Sequence, residues 1–515
     1  MLLPLVFLVK SWWQVDNELW QHLRDTQLLG LIKNTLILVV GVGIGVSLLG
    51  VSFAWLTAVC EFPGRKFFDW ALMLPLAVPA YVLAFVVLGV FDFGGAAQST
   101  LRSMGMQGYL DVRSPFTVVC VMILVLYPYV YLLARAAFLA QGTELLDVAR
   151  TLGHGPFSAF FRVVLPAARP AIVAGVSLAL MEALADFGAV SVFGFNTFTT
   201  AIYKSWLSLF SIETAAQLAT LLLLFVILAM ASERYFRPRN AGQVSVSQAR
   251  DRLKLSGGRA WVATLSCVMV FLLAVAIPFL QLLVWSLDNL AYLLAPEFGE
   301  LILTTFSLGA FAAIIVLVLA LPFAMGVRRT RSELLPEVSG LGYAIPGSVL
   351  AVGIMSLLAT LDQFWVWMGQ VFGLGLKPLF LGSLLGLLFA YVVRFFRPGY
   401  SALASGLSSI KNSYIESAMI MGVPQKRIFL GISLPLLMPG FLTGALIVFV
   451  DVIKEMPASL LLRPFGWDTL AIKIYELTSE GEWQRAGLAA LVLVLVSMIP
   501  VALLIRQSRV SSLSH

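Results

Sequence analysis

The sequence predicts an all-α integral membrane protein of about 12 transmembrane helices, two tandem sets of six in which the first helix is short. Three observations carry that prediction. Of 515 residues, 60% are hydrophobic and only 12% charged, about half the charged share of a soluble globular chain. Apolar runs of roughly 20 residues recur along the whole chain, the length at which a helix crosses hydrocarbon with its backbone groups bonded internally. One polar stretch occurs twice at a constant offset of 269 residues, as Glu144–Pro170 (ELLDVARTLGHGPFSAFFRVVLPAARP) and Ser413–Pro439 (SYIESAMIMGVPQKRIFLGISLPLLMP).

Taken in order, Met1–Val9 is apolar but too short to span, and it lacks the basic start and small-residue cleavage site of a signal peptide. Its counterpart in the second half is Ala260–Leu287, where IPFLQLLVWSL resembles LPLVFLVKSW, so it reads as the last third of a spanning helix. That leaves two options: the chain begins downstream of its true start, or the first helix is degenerate. Further spans are expected near 33–58, 69–91, 115–140, 167–193 and 213–232. The second half repeats them near 260–287, 300–326, 340–360, 379–396, 436–456 and 486–506. AVPAYVLAF (77–85) resembles AIPGSVLAV (344–352), which sets Pro79 against Pro346. Residues 1–235 thus form a first half with its polar loop at 144–166. Residues 236–259 form a basic linker, and 260–515 form a second half with its loop at 413–435. An even number of spans per half gives both copies the same orientation.

The net charge of +7 has a topological explanation that needs no nucleic acid. With both polar repeats on one side, that side collects 23 of the 34 Lys and Arg, and the opposite loops carry much of the acid. Basic residues concentrate on the cytoplasmic side, so both repeats are expected there. The linker's basic residues fit the same marking, and binding of anionic lipid headgroups is its sharper alternative. Cys60, Cys120 and Cys267 lie in apolar segments without pairing or ligand spacing. The three histidines, His22, His154 and His515, are scattered, so no metal cage is readable and any metal ligands stay unknown. Tyr81, Tyr127, Tyr129 and Tyr131 read as interface aromatics, with transient ligation of a metal cargo as the alternative.

Each repeat reads as a short helix, a glycine turn, a second short helix and then Leu-Pro. Asp147 meets Glu416, Ala149 meets Ala418 and Gly153 meets Gly422, while Leu165-Pro166 meets Leu434-Pro435. Ser413 and Glu416 fit a capping box. Gly153 and Gly422 are expected to close the first helix in a left-handed conformation. The residue before proline disfavours helix, so Leu-Pro is expected to end the second. Two short helices held at a bend outside the bilayer make a knob for a groove on another protein, and the matched second copy favours that over an ordinary loop.

The pattern acidic-x-Ala-x-x-x-Gly, followed at fixed spacing by hydrophobic-x-Leu-Pro, resembles the EAA loop of binding-protein-dependent ABC importer permeases. The resemblance covers nearly the whole chain, and fused two-half permeases of this type I architecture occur in ferric-iron, thiamine and related branches. It departs from the usual motif in having Asp147-Val148 in the first copy and Ser417 in the second. It implies that Asp147, Ala149, Gly153, Leu165, Pro166, Glu416, Ala418, Gly422, Leu434 and Pro435 couple the chain to two copies of a cytoplasmic ATPase. It also implies a periplasmic substrate-binding protein and a bacterial inner-membrane location. No Gly-Lys dipeptide occurs, so the chain has no Walker A loop. ATP and Mg are therefore expected on the partner, with no cofactor bound by this chain and no catalysis of its own.

Beyond each loop the chain re-enters the membrane with carboxylates at matched places, Glu182 with Asp451 and Asp186 with Glu455. The i, i+4 spacing puts each pair on one helix face. A charge at mid-bilayer costs roughly 2.5–3.5 kcal/mol, so the four should face the bundle interior, each other or Lys454. Two roles stand open: an interior ion-pair lock, or the lining of a cationic path. The segments ADFGAVSVFGFNTFTTAIYKSW (185–206) and KEMPASLLLRPFGWDTLAIKIYE (454–476) resemble the ferric-iron branch. That resemblance implies ferric import, with thiamine, polyamine or phosphonate as alternative cargoes. A proton-coupled secondary transporter is the reading outside the class, and a membrane enzyme is disfavoured by the lack of any nucleophile or acid–base cluster.

Overall fold

The computed structural model describes residues 3–13, 17–92, 94–104, 112–141, 149, 151, 155–236, 252–330, 334–408 and 410–513. In the first half, α1 (Leu3–Lys10) is followed by α2 (Leu29–Val59), α3 (Arg65–Ala71), α4 (Ala80–Phe91) and α5 (Pro115–Gln141). Then come α6 (Leu165–Ala185), α7 (Gly188–Val192), α8 (Phe198–Leu207) and α9 (Ile212–Phe236). The second half holds α10 (Gly258–Phe271), α11 (Ile277–Asp288), α12 (Pro296–Thr330), α13 (Leu334–Ala344), α14 (Gly347–Val371) and α15 (Leu384–Ser408). It closes with α16 (Asn412–Ile420), α17 (Gln425–Ile428), α18 (Leu434–Lys454), α19 (Pro457–Leu462), α20 (Leu470–Ser479) and α21 (Trp483–Leu513).

Among the described residues nine helices are long and apolar enough to cross a membrane. The pair Arg65–Ala77 and Ala80–Phe91 is apolar enough together but bent by 91° at its break, the geometry of a broken span or a re-entrant loop. Helix α15 has the length but carries Arg394 and Arg397 at its centre, and the run Leu3–Trp13 is apolar but short. Nine or ten of the twelve expected spans are thus met among the described residues, and these two helices stand where the remaining two were expected. Outward-facing positions are apolar too: Leu36, Val40, Ile44 and Leu48 form an exposed stripe on α2, as Trp261, Leu265 and Met269 do on α10. A helix apolar on every face has lipid for its solvent.

The repeat is visible as matched breaks. Helix α4 starts behind Pro79 (φ −59, ψ 144) and α14 behind Pro346 (φ −53, ψ 139). Both prolines take the extended conformation that stops a preceding helix and opens a new one. Three other prolines behave differently. Each of the π-helical turns Phe160–Val164, Leu272–Ala276 and Phe429–Ser433 is followed by one residue and then by Pro166, Pro278 or Pro435. The intervening residue closes the wide turn, Leu165 N–H donating to Phe160 O, Ile277 N–H to Leu272 O and Leu434 N–H to Phe429 O. A proline ring clashes with the carbonyl four residues back and leaves it without a donor, and widening that turn relieves the clash.

The chain divides into two compact units that interleave the tandem halves. One comprises Met1–Asp16, Ile202–Thr220 and Leu290–Glu476. In it α1 lies on α14, so close that a Cβ at Gly353 would sit 2.7 Å from Pro4 O. Gln217 Nε2 ties the same segment down, donating to Ser11 O at 3.1 Å. Helices α12, α15 and α18 pack around Leu317, Ala320, Tyr400, Leu403 and Leu437, and Ile415 of α16 rests against this core.

The other unit comprises Asn17–Ala201, Leu221–Asn289 and Leu477–His515. Helices α2, α5 and α6 form its centre. Small residues set their spacing, and a Cβ at Gly175 would meet Val130 Cα at 2.7 Å. Helix α11, from the second half of the sequence, packs against α21. Its Trp285 stacks on Phe85 of α4 at 6.1 Å. The end of the linker also has structure that the sequence reading left unassigned: β1 (Cys60–Glu61) pairs in parallel with β2 (Leu253–Lys254).

Candidate coupling corners and membrane carboxylates

The second polar repeat is a rigid corner. Helix α16 ends in a Schellman arrangement, Val423 N–H donating to Ala418 O at 3.1 Å and Gly422 N–H to Met419 O at 3.0 Å. Gly422 has φ +75, as expected of a left-handed closing residue. Ala418 is 2% exposed and anchors the corner inward. Outward, Glu416 is exposed, and Ile420 and Met421 are 87% and 74% exposed. Two further expectations need correction. The N-cap of α16 is Lys411, and Ser413 lies inside the first turn without a side-chain capping bond. Leu434-Pro435 does not end the second helix, because α17 continues through the π-helical turn into α18.

The first repeat is described in part. Asp147, Gly153 and His154 lie outside the described residues. Ala149 is helical and fully buried, matching Ala418. Leu165-Pro166 again begins the membrane helix behind a π-helical turn and does not terminate one, for the same steric reason. Phe160 packs edge-on against Trp55 at 4.6 Å, which holds this end of α6 to α2. Below it lies a charged cluster: Arg135 Nη2 meets Asp69 Oδ1 at 2.6 Å, and Arg65 Nε meets Glu61 Oε2 at 3.0 Å. Tyr127 and Tyr131 donate to Leu72 O and Asp69 O, both at 2.9 Å, so both hydroxyls serve as interior ties.

The four membrane carboxylates divide by position. Glu182 and Asp451 lie within α6 and α18, whereas Asp186 and Glu455 stand just past the ends of those helices. They leave the helix with ψ 128 and ψ 112, so neither pair shares one continuous helix face as i, i+4 spacing implied. Each caps the short helix that follows. Asp186 Oδ1 accepts from Ala189 N–H at 2.9 Å and Val190 N–H at 3.3 Å. Glu455 Oε1 accepts from Ala458 N–H at 2.9 Å.

The surroundings of the two caps differ. Glu455 is 6% exposed and pairs with Arg394 of α15, Nε to Oε2, at 2.9 Å. Arg394 also donates through Nη1 to Ile345 O at 3.1 Å, beside the Pro346 break. A Cβ at Gly347 would strike Glu455 Oε1 at 2.6 Å, so glycine is required for the approach. Ser459 Oγ donates to Glu455 O at 2.6 Å and bonds Tyr391 OH at 2.7 Å, while Tyr203 OH donates to Pro457 O. Asp186 stands among hydroxyls instead: Thr199 Oγ1 donates to its carbonyl at 2.8 Å and bonds Thr197 Oγ1 at 2.9 Å. Sequence reasoning missed Arg394, Tyr391 and Tyr203. The available signal was an arginine inside an apolar helix, which needs a buried partner. Among the described residues no group of three or more His, Cys, Asp or Glu is placed to hold a metal ion.

Comparison with known proteins matches residues 47–242 and 317–509 to the family described as binding-protein-dependent transport system inner membrane component. The Fe(3+)-transport system permease protein FbpB 2 of Haemophilus influenzae is 28% identical over 485 residues, covering 92% of this chain and 89% of that protein. The sulfate transport system permease protein CysT of Escherichia coli is 29% identical over 194 residues, 37% of this chain and 68% of that one. The molybdenum transport system permease protein ModB of Escherichia coli is 32% identical over 148 residues, 28% of this chain and 63% of that one.

Proposed function

The chain belongs to the family of binding-protein-dependent transport system inner membrane components, and from that premise we propose that it is the permease of an ATP-driven importer of ferric iron. It is a multi-pass inner-membrane protein, and its family implies an ATPase and a binding protein as partners. Iron as cargo is supported by a relative that matches 92% of this chain and is a ferric permease by name, whereas the sulfate and molybdenum permeases match 37% and 28% of it.

The observation that carries the coupling role is the corner at Ala418–Gly422. It fixes one buried alanine beneath two exposed apolar side chains, Ile420 and Met421, beside the exposed Glu416. Exposed apolar side chains on a rigid polar loop suit a protein groove. Two such loops call for two ATPase copies, which hold the ATP and Mg while this chain holds no cofactor. The basic bias supports a cytoplasmic position for both loops. Asp147, Glu416 and the paired Gly and Leu-Pro residues are the coupling set in this reading. Glu182, Asp186, Asp451 and Glu455 are the candidate path of a cation in this reading, with Glu455 paired to Arg394.

Replacing Gly422 by leucine forces a side chain into φ +75 and should strip the ATPase from the purified permease. Reconstituted with ATPase and binding protein, the wild type should accumulate radioactive ferric ion only with ATP. ATP-independent uptake would overturn the importer reading. ATP-driven uptake of sulfate or molybdate in place of iron would overturn the cargo.

A further inference from the structure

Two highly exposed phenylalanines stand at tight turns of the backbone. Phe210 is the one non-glycine residue with positive φ among the described residues, at φ +52, and it is 82% exposed. It forms the corner between α8 and α9. Leu209 N–H donates to Lys204 O at 3.2 Å and Ser211 N–H to Ser205 O at 3.0 Å. The second half builds the same corner between α20 and α21 with Gly481 at φ +80. The two positions are 271 residues apart, as are Ile212 and Trp483, the first residues of the helices that follow. Glycine is what this corner asks for, and a bulky residue with positive φ is an outlier. At 82% exposure no packing of the Phe210 ring offsets the strain.

Phe465 is 106% exposed at the tip of a tight turn. Trp467 N–H donates to Pro464 O at 3.2 Å and Gly466 has φ +79, the pattern of a type II turn. Arg463 clamps the base, pairing with Asp468 and, at 2.9 Å, with Glu476. A phenyl ring standing on a charge-braced turn is set for contact with a protein. The charges at its base suit water better than hydrocarbon, as do the exposed Lys204 and Ser208 near Phe210 in the chain.

In chain order, one crossing helix separates each phenylalanine from the coupling loop of its half, α6 for Phe210 and α18 for Phe465. Both therefore face away from the ATPase side, and both fall in the same compact unit. We propose that Phe210 and Phe465 are anchor side chains of the surface that docks the substrate-binding protein. This rests on the importer reading above. Aromatic anchors in an otherwise polar rim carry a disproportionate share of interface energy. Rings held rigid before contact also lose little freedom on binding.

The test uses the full permease–ATPase complex in nanodiscs and the iron-loaded binding protein of the same transport system, with ATPase rate followed against binding-protein concentration. F210G relieves the backbone strain, so its thermal stability should match or exceed the wild type. F465S alters only an exposed tip. Each should raise the half-saturating binding-protein concentration by about tenfold or more, with basal ATPase unchanged. Half-saturation within about twofold of wild type in both variants would overturn the proposal. So would unchanged half-saturation with poorer bilayer reconstitution, which would assign the rings to the lipid surface. A wild-type complex that binds its ATPase but ignores the binding protein would overturn the importer reading and this proposal with it.

Discussion

Removing Arg394 should damage the protein more than removing any other single charge in its membrane helices, and removing Glu455 as well should repair most of that damage. Arg394 and Glu455 have side chains only 12% and 5% exposed and meet at 2.9 Å. Arg394→Met leaves a buried carboxylate without its counter-ion, and Glu455→Gln leaves a buried guanidinium. Breaking a buried pair from one side costs about 3–5 kcal/mol, because the surviving charge stays desolvated. The double variant removes both members of the pair together. Met fills the aliphatic volume, and Gln can still accept from Ala458 N–H, so its cost should fall to about 1 kcal/mol. The coupling energy in the cycle should then be several kcal/mol, against about 0.5 kcal/mol for residues that do not interact. Thermal unfolding of the purified variants, followed by tryptophan fluorescence, reads it directly. Asp186→Asn is the internal control: asparagine caps helices about as well as aspartate, so the matched cap should lose well under 1 kcal/mol. Additive losses in the Arg394–Glu455 cycle would refute the buried lock. A stable double variant that still imports iron confines the pair to holding the fold, whereas a stable one that cannot import would put Glu455 in contact with cargo.

Pro435→Ala removes the ring that forces the Phe429–Ser433 turn open. If the turn relaxes to α geometry, the coupling corner rotates by about 100° relative to α18, and ATP hydrolysis should continue while iron uptake falls; uptake and hydrolysis changing in proportion would count against it. Gly175→Leu drives a side chain against Val130 Cα, which a Cβ alone would approach to 2.7 Å. It should lower the midpoint of thermal inactivation or prevent membrane accumulation, and a variant that accumulates with unchanged stability would show that the α5–α6 spacing yields easily.

What could be read from the sequence was whatever two copies shared. Gly422 foretold a left-handed corner, because that depends on local backbone sterics that the residue type dictates. The match of Pro79 with Pro346 aligned the halves, yet the expected spans 69–91 and 340–360 ran straight through both prolines, where the structure breaks the helix. Leu-Pro misled for an instructive reason. Proline forbids an ordinary α turn, yet the chain had a second answer, a turn one residue wider, and chose it at Pro166, Pro278 and Pro435. The Arg394–Glu455 pair was out of reach because its members are 61 positions apart on different helices. Nothing in a tandem repeat announces that α1 will lie on α14 while α11 packs against α21. Each half is complete as a list of helices, and the choice of neighbour belongs to packing.

The unbroken helices make sense of where the carboxylates sit. From Gln425 the chain runs as 30 helical residues to Lys454, about 45 Å at 1.5 Å per residue, with the coupling corner at one end and Glu455 at the other. The first half repeats this with Phe160–Ala185 and Asp186. Had Leu-Pro ended a helix, a force on the loop would have met a flexible joint at the membrane surface. A π-helical turn keeps every residue in the rod and still accommodates proline. At that far end the two halves diverge: Glu455 is pinned to Arg394, whereas Asp186 is bonded to backbone N–H groups in a pocket of threonines. The far ends of the two rods are thus held differently, by a charged pair in one half and by backbone and threonine bonds in the other.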